Sequence, residues 1–224
     1  MLPATAPHME FVLLGWPEAG PTLGLDFRSF SYAGKFVMSN TGKAVLRDPE
    51  RSTSPPTGEL PADAPDPSAF EDDVLAAVAF NEDRTDSSVL WLRYVTVHAD
   101  LRGEGLGARL AASVAERAER RGYRRLRIAV NNPFAYDALY KAGFAFTGRR
   151  TGLAELVLER PGERDRATYQ CGLDVFRERG TDDPEASFLA AREGAAPPSL
   201  TDPVRSDPAG ADAGGRDHRR SASR

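Results

Sequence analysis

Cysteine is nearly absent from this 224-residue chain. The single Cys171 forbids an intramolecular disulfide framework and fits a reducing compartment. Histidine is scarce too: His8, His98 and His218 lie far from one another and from Cys171, so no zinc-ligand spacing is present and no metal is expected. No apolar run approaches the ~20 residues of a membrane-spanning helix. The start has no basic region ahead of the apolar Phe11 to Leu14, as a secretion signal would have. The expectation is a soluble, cytoplasmic protein that engages no membrane. Positive charge is not in excess either, and a net charge of −4 gives no general affinity for nucleic acid. Lysine occurs only at Lys35, Lys43 and Lys141, the rest of the 29 basic residues being arginine. That bias fits a GC-rich genome or salt adaptation and has no bearing on the reaction. Apolar residues reach only 41%, so part of the chain is expected to stay outside any core.

What is present is an alternation of short strands and helices. Phe11 to Leu14 reads as a first strand closed by Gly15 and Pro17. Asp26 can cap a helix carrying Phe27, Phe30, Ala33 and Val37 at helical spacing, with a strand as the alternative for part of that stretch. Lys43 to Arg47 forms a second strand, and Asp48 to Asp73, rich in Pro, Asp, Ser and Thr, a long mobile loop. Val74 to Phe80 is apolar throughout, as in a strand buried on both faces, and Val89 to Val97 is the next strand. Leu106, Leu110, Val114 and Ala118 make one apolar stripe along a helix. Arg117, Arg120 and Arg121 suit its C-terminal end and Gly122 stops it. A strand at Arg125 to Val130 and a helix from Pro133 to Ala142 follow, then strands at Phe144 to Phe146 and Leu153 to Leu158 joined through Gly148 and Gly152. Leu173 to Arg179 and Pro184 to Arg192 read as helices, the second capped by Asp183. From Ala195 on, Pro, Gly, Ala, Ser, Asp and Arg dominate and imply a disordered tail, whose basic end is read as solvated.

The chemistry concentrates where the strand ending at Val97 meets the helix opening near Leu106. Gly103, Gly105 and Gly107 leave backbone N–H groups unshielded at the positive end of that helix, an arrangement that binds phosphate oxygens. Three near-consecutive glycines cost backbone entropy that a plain turn has no reason to bear. Gly103 to Ala108 formally satisfies the dinucleotide fingerprint G-x-G-x-x-A, but that reading needs an acidic residue about 20 positions on. The following strand ends Val130-Asn131-Asn132 and supplies none. A nucleoside-triphosphate loop is excluded, because neither Gly34-Lys35 nor Gly42-Lys43 is followed by Ser or Thr.

Arg102-Gly-Glu-Gly105-Leu-Gly107 matches R/Q-x-x-G-x-G/A in full, with Ala99 where a proline is usual. Asn132, Ala135, Leu139-Tyr140 and Gly143-Phe144 make a second signature some thirty residues later. On these two motifs in order, roughly Phe11 to Leu158 resembles the GNAT superfamily of N-acetyltransferases. The resemblance implies an α/β fold: a mixed, largely antiparallel sheet with two splayed strands and helices on both faces. It implies acetyl-CoA as the acetyl donor, its pyrophosphate on the backbone from Arg102 through Gly103, Glu104, Gly105, Leu106 and Gly107 to Ala108. The pantetheine arm would run beside Val95, Thr96 and Val97, a backbone N–H near Val95 would hold the oxyanion, Asn132 would contact the arm, and Tyr140 would protonate the departing thiolate. Asn132 has a competing use as a helix cap, because one more residue separates it from the tyrosine than is common. Tyr140 has one as a core aromatic. His98 sits where relatives often carry a non-catalytic histidine.

The strand Arg125 to Val130 lacks the glutamate that many relatives use as general base. Glu82, Asp83 and Glu155 are candidates without a motif behind them, and the base stays unassigned. The resemblance implies a primary amine as acceptor, on a small molecule, a peptide or a protein N-terminus, and the acidic residues of the Asp48 to Asp73 loop with Glu82, Asp83 and Asp86 raise the idea of a cationic one. The rival function is a non-catalytic acyl-CoA-binding or regulatory module of the same fold. The expected organisation is a GNAT domain at 9–160, a helical extension at 161–194, whose helices are candidates for a homodimer contact or a lid, and a tail at 195–224.

Overall fold

The computed structural model describes residues 9–51, 69–152 and 155–204. Its frame is a seven-stranded mixed sheet: β1 (Glu10–Gly15), β2 (Gly42–Arg47), β3 (Val74–Glu82), β4 (Val89–Val97), β5 (Arg125–Val130), β6 (Ala145–Thr151) and β7 (Glu155–Arg160). Spatial order is β1-β2-β3-β4-β5-β7-β6. All neighbours are antiparallel except β4 and β5. That parallel pair requires a crossover, which helix α1 (Leu106–Arg120) provides. β3 is an interior strand, and its residues from Val74 to Phe80 are all buried, which accounts for a strand with no polar face.

One side of β2, β3 and β4 packs against α1. Ala44, Leu46, Ala76, Val78 and Phe80 meet Leu110, Val114 and Ala118 in one large core, which continues into α2 (Pro133–Lys141) and α3 (Arg166–Arg177). On the other side Val45, Val74, Ala77 and Ala79 are covered by Leu23, Leu25, Phe30, Ala33 and Phe36. The covering segment is not the helix expected from Asp26. It is a run of turns with one 3₁₀ turn, Ala33–Lys35. The Asp26 carboxylate folds back on Arg28, accepting from its backbone N–H at 2.9 Å and from its guanidinium at 2.6 Å. Tyr32 takes a left-handed backbone with φ 61°, which no α-helix admits. Phe30 and Ala33 are buried while Phe27 and Val37 are exposed, so the apolar residues do not share one face. Both ends of the segment are tied by Lys43, a wholly buried lysine whose ammonium donates to the carbonyls of Pro21 at 2.6 Å and Met38 at 2.7 Å.

Beyond β7 the chain forms α3, seven residues earlier than its apolar residues suggested because Asp165 caps it through Thr168 N–H, and α4 (Glu185–Ala190). Pro184, not Asp183, is the cap position of α4, and Asp183 instead accepts from the Ser187 hydroxyl at 2.6 Å. Residues 195–204, expected to begin a disordered tail, lie along the helices. Gln170 donates to Ala195 O, Arg164 to Pro198 O, and Thr201 N–H to Lys141 O. Val204 is buried against Ser113. Low apolar content did not prevent this docking, because backbone carbonyls and amides supply most of its contacts. The rest of the expected tail, the expected strand start at 153–154, and most of the expected loop, 52–68, fall outside the described residues.

Candidate functional site

The glycine turn is built from opposing requirements on its three glycines. Gly103 and Gly105 have φ of 89° and 82°, a region that L side chains rarely occupy. A Cβ on either would meet no atom within 4 Å, so the space above both is open. Gly107 differs: its Cβ would lie 3.4 Å from Val97 Cγ2 and 3.9 Å from Val95 Cγ1, so the helix start rests directly on β4. Gly105 is the N-cap of α1 and has no side chain to offer its first turn. The first intrahelical bond runs from Arg109 N to Gly105 O at 3.1 Å. The amides of Leu106, Gly107 and Ala108 therefore sit in the uncapped first turn, at the positive end of a 15-residue helix. Ahead of them a 3₁₀ turn, Ala99–Leu101, is capped by His98, whose Nδ1 accepts from Asp100 N at 3.3 Å. His98 is buried with its ring edge-on to Phe30, a structural position. Arg102 reaches across to the turn-rich segment and donates from Nη2 to Ser31 Oγ at 3.1 Å, while Glu104 is exposed.

The strand beside this turn leaves its neighbour. β4 pairs with β5 only from Val89↔Arg125 to Leu92↔Ile128, yet stays paired with β3 as far as Val97↔Ala76. From residue 93 to 97 the edge of β4 facing β5 carries no strand, and half of its N–H and C=O groups point into a gap. The parting coincides with a β-bulge: Ala79 faces Tyr94 but Phe80 faces Leu92, leaving Arg93 as the extra residue. Val95 and Val97 turn toward the α1 core. Thr96, paired with Ala77, points to the other side, where its buried hydroxyl has no partner among the described residues. The glycine turn, Val95 to Val97 and the gap are thus contiguous.

The second group of expected site residues has different surroundings. Asn132 caps α2, its Oδ1 accepting from Ala135 N at 2.8 Å, and its amide donates to Asn131 at 3.2 Å. Tyr140 is fully buried. Its hydroxyl accepts from Phe146 N at 3.0 Å and from the Tyr136 hydroxyl at 3.3 Å, and its ring packs 4.8 Å from that of Tyr169. Burial pushes the phenol's pKa above its ordinary value, which makes it a poorer proton donor. The contacts this hydroxyl displays are those of a packed core residue, the competing use its sequence position offered. Next to it Asp137, also buried, accepts from Tyr169 at 2.7 Å, Lys141 at 2.9 Å and Arg192 at 3.0 Å.

Two of the three candidate bases are engaged by side chains of their own surroundings. Glu82 accepts from the Tyr123 hydroxyl at 2.7 Å. Asp83 organises the β3–β4 hairpin, taking bonds from Thr85, Asp86 and Trp91 that hold its carboxyl far below the usual range. Glu155 is an exposed residue at the start of β7. Two hollows of about 620 and 560 Å³ lie elsewhere, one between α1 and Val204, the other between β6 and α3. Neither is lined by a residue of the glycine turn. Among the described residues no group of three or more His, Cys, Asp or Glu side chains is placed to hold a metal. No helix among them is long and apolar enough to cross a membrane. The sequence reading passed over Ser31, Tyr32, Arg93 and Tyr94, although the bulge left a trace: inward apolar residues step from Leu90 and Leu92 to Val95 and Val97, out of phase by one.

Comparison with known proteins agrees with this arrangement at the level of family. Residues 47–144 match the model of the acetyltransferase (GNAT) family. No curated protein matches the sequence. Among solved structures, a GCN5-related N-acetyltransferase from Kribbella flavida is 21% identical over 55% of this chain and 68% of its own, with a TM-score of 0.39. IAA acetyltransferase from Bacillus cereus is 18% identical over 67% of this chain and 97% of its own, at 0.41. A phosphinothricin acetyltransferase from Sinorhizobium meliloti, in complex with AcCoA, is 14% identical over 54% and 60%, at 0.39. The match to the acetyltransferase (GNAT) family runs from the end of β2 to just past α2 and takes in the glycine turn.

Proposed function

We propose that the protein is an N-acetyltransferase that moves the acetyl group of acetyl-CoA to a primary amine by direct attack. One observation carries the reading: two left-handed glycines with open space above them start a helix beside a strand that has just left its neighbour. The cradle fits a pyrophosphate, because backbone amides and helix dipole both favour an anion there and no side chain fills the approach. Arg102 adds a guanidinium at its rim. The free edge of β4 from 93 to 97 offers backbone donors and acceptors to an amide-containing arm, in the way an added strand would use them. A β4 N–H near Val95 would polarise the thioester carbonyl and receive its developing negative charge.

The chain's own part in the reaction is then binding, alignment and electrostatic stabilisation. A neutral amine attacks the carbonyl carbon, the C–S bond breaks, the thiolate takes a proton and the amine loses one. Neither proton is assigned to a side chain. Because Tyr140 is enclosed, a module that binds acetyl-CoA without turnover is the second reading. Release of free CoA thiol on incubation with a chemically diverse amine panel separates the two. Calorimetry with acetyl-CoA tests the part they share; absence of binding overturns both.

A further inference from the structure

The gap beside β4 has a second end, away from the glycine turn, where Arg93 stands. Val97 is four steps along the strand from Arg93, about 13 Å at ~3.3 Å per residue. An arm entering at the glycine turn and running along β4 brings its reactive end toward the bulge, and an acceptor must meet it there. Arg93 is the extra residue of that bulge and the first beyond the last β4–β5 pair. Its side chain is held at two points: Nε donates to Asn81 Oδ1 at 2.6 Å, and the guanidinium carbon lies 5.0 Å from the centre of the Trp91 ring. No carboxylate among the described residues pairs with it. The nearby Arg127 differs in this respect, being matched by Glu159 at 2.6 Å. The nearby Asp83 is engaged by Trp91 and Thr85. Among the described residues, both terminal nitrogens of Arg93 therefore keep their donors free, as a planar fork on a fixed stem.

The adjoining wall is aromatic. Tyr94 follows Arg93 directly, and its ring lies 5.7 Å from that of Tyr32. Tyr32 is more than half exposed and holds a left-handed backbone, a strained state that recurs at ligand sites. Its neighbour Ser31 is fixed by Arg102 from the glycine turn. Phe27, Val37 and Met38 of the same turn-rich segment are exposed as well. A guanidinium fork without a partner, beside an open aromatic pair, suits a planar anion attached to a small organic body.

We infer that the acceptor is a small amine that also bears a carboxylate, with Arg93 binding that carboxylate at the head of the β4–β5 gap and Tyr32 and Tyr94 flanking its body. This deepens the acetyl-transfer reading and rests on it. It opposes the cationic acceptor suggested by the acidic residues near 48–86, of which Glu71 and Asp73 pair with Arg47 and Glu82 with Tyr123.

The test uses the twenty L-amino acids and their α-carboxamides as matched pairs, with the whole protein, its Arg93→Gln and its Arg93→Lys variants. Binding to CoA-saturated protein is read by calorimetry and turnover by CoA thiol release. For at least one pair the wild type is expected to bind the carboxylate at least about tenfold more tightly. Arg93→Gln should raise KM for that acid about tenfold or more, change its carboxamide by less than about twofold, and leave kcat within about threefold; Arg93→Lys should recover part of the loss. The variant-to-wild-type ratio cancels differences in amine basicity within a pair. Equal binding of acids and carboxamides, an equal loss for both in Arg93→Gln, or no member of the panel being bound or turned over overturns the proposal. A protein that binds acetyl-CoA but shows any of these keeps the acetyl-transfer reading and loses only its acceptor. One that fails to bind acetyl-CoA loses the reading beneath.

Discussion

Two regions flank the α1–β5 crossover, and they use their polar groups in opposite ways. Around the glycine turn, the first-turn amides of α1 and the free edge of β4 have no internal partners among the described residues. Around α2 and α3, the buried tyrosines and Asp137 are answered from within. Tyr136 and Tyr140 bond each other, Phe146 N–H meets a phenol, and Asp137 collects three donors. In the proposed reading, the backbone of the first region is left open for acetyl-CoA to satisfy. The second makes a rigid block that fixes the C-terminal helices to the domain. Site residues belong to a region of the first kind, however persuasive a motif in the second kind reads. The way to break this comparison is to damage each region and see whether binding and stability separate.

The largest effect is expected from Asp137→Ala. Removing a buried carboxylate strands Arg192 and Lys141 and frees the Tyr169 hydroxyl, a loss of about 3–5 kcal/mol for a broken buried pair. That predicts a melting temperature lower by roughly 6–15 °C, with acetyl-CoA affinity nearly intact. The pH dependence follows from the same group. Burial alone would raise the Asp137 carboxyl, but bonds from Lys141, Tyr169 and Arg192 hold it below 3.8. Its contribution is therefore fully present above that value and lost as pH falls through the depressed one. Acid melting curves of wild type and variant should converge below pH 3.8; curves that stay parallel would remove Asp137 from the ledger. Gly105→Val should show the reverse pattern. A branched side chain over the cradle is expected to weaken acetyl-CoA binding at least about a hundredfold, or ~2.7 kcal/mol, with the helical signal in circular dichroism retained. Unchanged affinity in a folded variant would mean that the glycine turn is not the phosphate site.

How much of this was legible depends on the range of the information. α1, α2 and β3 were readable because their signals are local: a four-residue apolar stripe, proline at the first turn, an unbroken apolar run. The glycine turn was readable for the same reason. The surroundings of Tyr140 were not readable because Tyr169 and Phe146 set them, the first from a helix nearly thirty residues on, which no local pattern reports. Asn132 offered both uses in sequence, and capping geometry is the one the structure displays. The segment from Leu23 to Phe36 defeated a periodicity reading because Tyr32 is left-handed and Lys43, a residue outside the segment, fastens its ends.

Tyr140→Phe sharpens the comparison at intermediate size. It keeps the ring and removes the oxygen that accepts from Phe146 N, leaving a buried donor unpaired at a cost of about 1–3 kcal/mol. A melting temperature lower by roughly 2–10 °C with kcat within about twofold is the expected result. A fall in kcat of tenfold or more without a change in melting would return the tyrosine to general-acid catalysis.

The smallest effect tests whether residues 195–204 belong to the rigid block. Ser113 is buried in the middle of α1. Its hydroxyl donates to Arg109 O at 2.9 Å and accepts from Val204 N at 2.8 Å, so one oxygen serves both the helix and the docked chain. Ser113→Ala improves intrinsic helix propensity by a few tenths of a kcal/mol and deprives Val204 N–H of its acceptor, a loss of about 1 kcal/mol for an ordinary hydrogen bond. The net expectation is a melting temperature lower by roughly 1–3 °C and faster hydrogen exchange at the Val204 amide. The glycine turn lies two turns toward the N-terminus of the same helix and shares no bond with Ser113, so acetyl-CoA affinity should not move. If exchange at Val204 is unchanged, the docking rests on its apolar side chain and the Arg164, Gln170 and Thr201 bonds alone. If affinity falls instead, α1 couples the two regions and the separation drawn between them does not hold.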